Sequence, residues 1–334
     1  MRLECPTLRL RFWRAPPSRA AGVVGFVVAL TDEHGEEVRC RPEVEVKCWA
    51  NGASREAVSC HRIDASRWRG SAGVEVLERV AVIREGRRLV EIEATASADV
   101  LGVRTGLEIE IGDDRYARPL LRVSRDLDLP RGLRTTIVED FGAAMGAHVW
   151  NAGIALAYYL TSATDLRLEG RPTLEFGAGC GLASIVAARC GANVLATDRD
   201  GALDALRANC GATNGVAVAS LDFGRAPPDF PATLAIAADV LYAPRAAADL
   251  ATTLLQLPSL EDLVFAHAER PDTTLAAWWA AIAPRFNSIT LEARVDPDPP
   301  CSSVFVYRCT AAKAAAAPPR PFLDRETTTT TTTT

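Results

Sequence analysis

The eight residues Leu174-Glu-Phe-Gly-Ala-Gly-Cys-Gly181 constrain this chain more than any other stretch. They follow Arg171-Pro172-Thr173 and precede an apolar run, Leu182 to Ala188, with the character of a helix. An acid on a short strand, then Gly-x-Gly-x-Gly, then a helix, makes a loop suited to a nucleotide-like ligand. Glycines let the backbone turn tightly and let a ligand approach the main chain. The helix offers free N–H groups at its start. The spacing departs from the dinucleotide fingerprint, which needs Gly-x-Gly-x-x-Gly. Here Gly181 comes one residue early and Leu182 stands where the third glycine would be. Glu175 argues in the same direction, because a carboxylate there repels a pyrophosphate and suits a cationic ligand.

Around this loop the pattern alternates strand and helix, the signature of an open parallel sheet. Strands are predicted over 173–176, 193–197, 216–221, 232–238 and 263–266, with 289–293 and 304–307 closing the sheet. Helices are predicted over 154–160, 182–190, 202–209, 245–257 and 273–282. The expected fold class is therefore α/β, a Rossmann-like sheet over residues 133–310. Residues 1–125 alternate polar and apolar instead, at 43–49, 74–76, 89–94 and 107–111, which predicts half-buried strands. Turn signals at Asp32-Glu33-His34-Gly35, Asn51-Gly52 and Arg84-Glu85-Gly86 separate them. This predicts a smaller, β-rich, sandwich-like N-terminal domain. Residues 126–132, with the turn Pro130-Arg131-Gly132, are expected to be a linker. Residues 311–334 are rich in Ala and Pro and end in eight threonines, a composition too poor in large apolar residues to fold.

Several acids and rings fall at strand ends. Asp198 ends the second strand about 20 residues after the loop, where an acid can accept both ribose hydroxyls, or simply face solvent. Asp222 and Phe223 follow the third strand, as a base-binding pair or as an ordinary turn with a core ring. Asp239 and Tyr242 follow the fourth strand, at the sheet edge where ligands bind; Asp239 could equally cap the next helix. Trp150 precedes a helix as a ligand wall or a core tryptophan.

In sequence order, Val149-Trp150-Asn151-Ala152-Gly153, Glu175-x-Gly177-x-Gly179-x-Gly181, Asp198, Leu221-Asp222-Phe223-Gly224 and Ala238-Asp239-Val240-Leu241-Tyr242 resemble a known group. It is the class I, seven-strand S-adenosylmethionine-dependent methyltransferases, and within them methyltransferase family 16, the protein-lysine methyltransferases. The resemblance spans roughly residues 135 to 310. It implies S-adenosylmethionine as cofactor, held by Trp150, Glu175, Gly177, Gly179, Gly181, Asp198, Asp222, Phe223 and Ala238. It implies Asp239 and Tyr242 as the catalytic pair that receives the acceptor amine. Phe223 stands where the family more often has Trp. The implied activity is methylation of a lysine on a protein such as a translation factor or chaperone. A small-molecule N-methyltransferase and a catalytically silent cofactor-binding module are the alternatives.

Composition limits the partners. The net charge of −5 gives no bulk attraction to nucleic acid. The base-flipping signature of nucleic-acid methyltransferases is missing at 238–242. None of the nine cysteines sits at metal-ligand spacing, so no metal is expected. Their odd number suits free thiols in a reducing compartment, and a cytoplasmic monomer is expected. No apolar run approaches a membrane span. The Arg-rich start before Val23–Leu30 reads either as a targeting segment or as the approach to a strand.

Overall fold

The computed structural model describes residues 1–4, 8–14, 23–31, 45–62, 67–73, 82–84, 87–96, 100–110, 116–140, 145–270, 274–296 and 302–311. The expected strand at 74–76 and the tail beyond 311 lie outside them. The alternating half forms a seven-stranded sheet. Its strands are β1 (Pro172–Phe176), β2 (Asn193–Asp198), β3 (Val216–Ser220), β4 (Leu234–Ala238), β5 (Asp262–Ala268), β6 (Ser288–Val295) and β7 (Val304–Thr310). Their order is β3-β2-β1-β4-β5-β7-β6. β1 to β5 are parallel, and β7 runs antiparallel to both neighbours. The strand order reverses between β1 and β4, and an open sheet takes its ligand outside the carboxyl ends of the strands at such a switch point.

Helices cover both faces: α1 (Asn151–Ser162), α2 (Leu182–Arg189), α3 (Leu203–Cys210), α4 (Pro244–Leu254) and α5 (Thr274–Ile282). Strands buried on both sides must be apolar at every position. In β4, Leu234 and Ile236 join the core that holds Leu156 of α1, Val186 of α2 and Leu206 of α3. Ala235 and Ala237 face the other way, into the core of Leu250 from α4 and Trp278 from α5.

Apart from Val82–Arg84, the described strands before residue 141 follow one path of pairings, antiparallel except between Leu8–Arg14 and Val100–Leu101. Strand Arg55–Arg62 turns a corner: Arg55–Val58 pair with strand Lys47–Asn51, and Ser59–Arg62 pair with strand Arg67–Gly73. Gly102 makes a second corner between Val100–Leu101, paired with strand Leu8–Arg14, and Val103–Glu110, paired with strand Arg87–Thr95. Strands that switch sheets in this way bring the path back on itself.

The expected linker at 126–132 is a correction. Strand Tyr116–Asp128 runs through it and pairs with Arg134–Asp140, Asp126 opposite Thr136. Only Pro130–Gly132 is a turn. The reason is apolar burial that the turn residues conceal. Leu127, Leu129 and Ile137 are buried in the same core as α1 and α2, so the two halves meet across packed surface. Asn209 of α3 adds a polar tie, donating to Val138 O and accepting from Val138 N, both at 2.9 Å. The chain start also reaches the far sheet edge: Leu3 N donates to Arg294 O of β6 at 2.9 Å.

Asp262 fastens the opposite end of the sheet. Its carboxylate accepts from Arg171 at 2.6 Å and from Arg308 and Thr310 at 3.0 Å each. Burial pushes its pKa up, but the Arg308 and Arg171 guanidiniums more than offset this and hold it below the ordinary 3.8. A depressed carboxyl stabilises the fold above its unfolded value, and that contribution is lost as pH falls through the folded value. Asp262→Asn is expected to cost about 2 kcal/mol at pH 7, because Arg171 and Arg308 lose their buried counter-charge and keep only the exposed Glu261 and Asp165. In urea titrations the gap to wild type should close below pH 3.8. A constant gap would rule out ionisation as the source.

Candidate functional site

The glycine loop folds as a strand-to-helix turn whose glycines the protein's own packing demands. Gly177, Gly179 and Gly181 have φ of +63°, +54° and +82°. A Cβ on Gly179 would lie 2.7 Å from Gly146 O, and one on Gly181 2.7 Å from Cys210 Sγ. Gly181 is the N-cap of α2, and its N–H closes the turn onto Ala178 O at 2.7 Å. Asp198, at the end of β2, accepts from Gly179 N through Oδ2 and from Arg199 N through Oδ1, both at 2.8 Å. Each oxygen keeps a lone pair for a further donor. Burial raises the pKa of Asp198 despite these bonds.

Glu175 sits differently from a residue at the rim of the crevice. On β1 its side chain alternates with Leu174 and Phe176, which face the α4–α5 core. Glu175 therefore points towards α2, is buried, and accepts a hydrogen bond from Ser184. Burial pushes its pKa up to about 8, partly offset by the Ser184 hydrogen bonds and reinforced by the charge on Asp198. A raised carboxyl holds a proton that the unfolded chain releases, so stability falls as pH rises from 4.5 to about 8. Glu175→Gln mimics the protonated acid and should remove that slope in urea titrations. A cation bound beside Glu175 should expel roughly one proton near pH 7. The binding heat would then vary with the ionisation enthalpy of the buffer, and a buffer-independent heat would place the cation elsewhere.

Phe223 is half-buried and meets Phe176 edge-on, with ring centroids 6.5 Å apart. Its ring edge lies 3.5 Å from the position of a Cβ on Gly177, so it borders the glycine loop. Asp222 is exposed beside it. Trp150 is half-buried at the N-cap of α1, and Ile154 N donates to its carbonyl at 3.1 Å.

Ala238 ends β4, and Asp239 follows with φ +53°, a left-handed conformation uncommon outside glycine. Asp239 N donates to Ala266 O of β5 at 2.9 Å. Its carboxylate meets a cation of the same chain, Arg270, at 2.5 Å. His267 Nδ1 lies 3.8 Å from Asp239 Oδ1. Tyr242 stands 53% exposed at the rim.

Sequence reading missed Arg270 and Gly146. Arg270 falls two residues after β5, beside the strand that ends at Asp239. Adjacent parallel strands bring their end residues together, and that adjacency was the available signal. Gly146 gives no local signal, because its contact with Gly179 spans more than thirty residues.

The carboxyl edge of the sheet thus presents Asp198, Asp222 and Asp239, with Glu175 buried beneath the glycine loop. Such a donor set fits a cationic ligand with ribose hydroxyls and disfavours a pyrophosphate, so the residues present fit S-adenosylmethionine. Among the described residues there is no metal-ligating cluster and no helix long and apolar enough to cross a membrane.

Known proteins resemble the segment that carries these residues. A family profile described as lysine methyltransferase matches residues 131–276. The chain is 35% identical over 127 residues to the protein N-lysine methyltransferase METTL21A of Xenopus tropicalis, covering 36% of this chain and 59% of that one. It is 34% identical over 131 residues to the histone-arginine methyltransferase METTL23 of Xenopus laevis, covering 36% and 56%. It is 28% identical over 200 residues to the EEF1A lysine methyltransferase 3 of Mus musculus, covering 57% and 84%. The chain thus spans a little over half the length of the first two relatives. Over residues 131–276, a little under half of its length, the chain is thus similar to the lysine methyltransferases.

Proposed function

We propose that this chain is an S-adenosylmethionine-dependent protein N-methyltransferase acting on lysine. One observation carries the reading: Asp198 is locked to the glycine loop through Gly179 N–H, and Asp239 stands across the β1–β4 crevice. Gly177, Gly179, Gly181 and Asp198 would hold the cofactor, with Trp150, Asp222, Phe223 and Ala238 around the base and sulfonium. When bound, the cofactor supplies an electrophilic methyl group on sulfur.

The chain's own residues prepare the acceptor. A lysine must shed a proton first, since its free pKa is about 10.4. Asp239 orients the amine, and Tyr242 walls the entrance with an aromatic face. Alignment of donor and acceptor provides most of the rate. The pairing of Asp239 with Arg270 bears on this step. A lone carboxylate would keep the amine protonated, whereas a neutralised one orients it with a smaller pKa penalty.

The reading is supported by the lysine-methyltransferase profile that matches residues 131–276 and by two relatives named as lysine methyltransferases. A translation factor or chaperone is the substrate class proposed, with the protein working as a cytoplasmic monomer. The relative named as a histone-arginine methyltransferase favours arginine as a second reading. The test is transfer of tritiated methyl from S-adenosylmethionine to lysate proteins, followed by acid hydrolysis and amino-acid analysis. Label in methyl-lysine supports the proposal. Label in methylarginine moves the acceptor to a guanidinium, and no label sinks the enzyme reading.

A further inference from the structure

The strip that carries Trp150 is held in part from outside the segment matched by the family profile. Val149 is pinned at both ends of its peptide unit. Its N–H donates to Glu139 Oε1 at 2.9 Å, and its carbonyl accepts from Arg9. The second arm of Arg9 donates to Asn151 Oδ1, so Trp150 stands between two anchored neighbours. Glu139 also pairs with Arg125, which donates to Leu10 O and Gly102 O at 3.0 Å each. Leu10 adjoins Arg9 on one strand, so the contacts close into a ring. Arg9, Arg125 and Glu139 are wholly buried. Burial pushes Glu139 up, but the two guanidiniums and the Val149 N–H more than offset it and keep it ionised.

The ring is continuous with the glycine loop. Just before Val149, Gly146 O faces Gly179, and Cys180 Sγ donates to it at 3.6 Å. Burying three charges costs several kcal/mol per ion unless geometry and hydrogen bonds offset it. Four hydrogen bonds in this ring end on backbone carbonyls or amides, which fixes the path of the main chain.

We propose that Arg9 is a positioning residue for the cofactor site: through Val149 and Asn151 it sets Trp150, making the β-rich half part of that site. Arg9 and Arg125 lie before residue 131, outside the segment matched by the family profile. The inference rests on the proposed cofactor reading and extends it to residues beyond that segment.

Calorimetric titration with S-adenosylhomocysteine tests it, using variants checked for folding by circular dichroism. Arg9→Met and Asn151→Ala are expected to weaken binding about tenfold or more, the loss of one or two charge-assisted hydrogen bonds. Asn151→Asp keeps an acceptor for Arg9 and should bind within about threefold of wild type. A role in stability alone would lower the melting temperature of all three without separating the Asp from the Ala variant. The wild-type protein gives a reading free of folding losses. On adding S-adenosylhomocysteine, hydrogen exchange should slow in strand Leu8–Arg14 as well as at the start of α1. Unchanged exchange in that strand, or wild-type affinity in folded Arg9→Met, overturns the proposal. Failure of the wild type itself to bind S-adenosylhomocysteine overturns the cofactor reading beneath it, a result distinct from both.

Discussion

Asp198→Ala is expected to weaken S-adenosylmethionine binding by about 100-fold or more, leaving the β-rich half folded. Asp198 makes two kinds of contact. In the proposed cofactor site its remaining lone pairs would accept the ribose hydroxyls, and hydrogen bonds to a charged group contribute about 1.5–3 kcal/mol each. Its Oδ2 also holds Gly179 N, so the variant frees the loop that should cradle the ligand. Two lost ribose bonds alone amount to about a factor of 100. Asp198→Asn keeps one acceptor for Gly179 and should fall between the two proteins. Calorimetry of the three proteins with the methyl donor, and of wild type with NAD, decides the matter. Equal affinity of wild type and Asp198→Ala for the donor would remove Asp198 from the site. Saturable binding of NAD would contradict the reading of the early third glycine.

Asp239→Asn is expected to lower kcat/KM for methyl transfer by about 100-fold or more, in the range seen when one preorganised electrostatic group is removed. Affinity for S-adenosylhomocysteine should stay within a few fold, because Asp239 is assigned to the acceptor. Arg270→Met separates the two roles of the pair. With the carboxylate no longer neutralised, the acceptor ammonium should bind more tightly and KM should fall. A lone carboxylate raises the pKa of that amine. The neutral fraction is then reached at higher pH, and the kcat profile should move alkaline. Methyl transfer by Asp239→Asn at the wild-type rate would remove Asp239 from the reaction. An unchanged pH profile in Arg270→Met would show that the pairing does not tune the acceptor.

Much of the site was legible because it depends on local chain geometry. The turn after β1 needs left-handed residues at Gly177, Gly179 and Gly181, and only glycine adopts them freely. Asp198 and Asp239 could be placed because parallel strands deliver their end residues to one sheet edge. The helices and strands after residue 150 could be read from periodicity, since buried parallel strands carry uninterrupted apolar runs, whereas strand Arg134–Asp140 was missed. The hairpin at 126–132 was misread because Pro130-Arg131-Gly132 signals a turn, while the burial of Leu127 and Leu129 depends on a partner surface.

The sequence by itself determined the order of the helices and strands after residue 150, the left-handed turn at the glycine loop and the row of acids at strand ends. Each follows from φ preference, side-chain period or chain direction, all of which act over a few residues. Only the tertiary structure decided where those acids point. Glu175 turns inward because its neighbours Leu174 and Phe176 claim the opposite face, and Ser184 completes its shell. Asp239 meets Arg270 because β4 and β5 are adjacent in the sheet. Arg9 reaches Val149 across 140 positions, a contact fixed by how the two sheets pack. Periodicity along a strand marks a buried face, but the partner on that face is set by packing between distant elements.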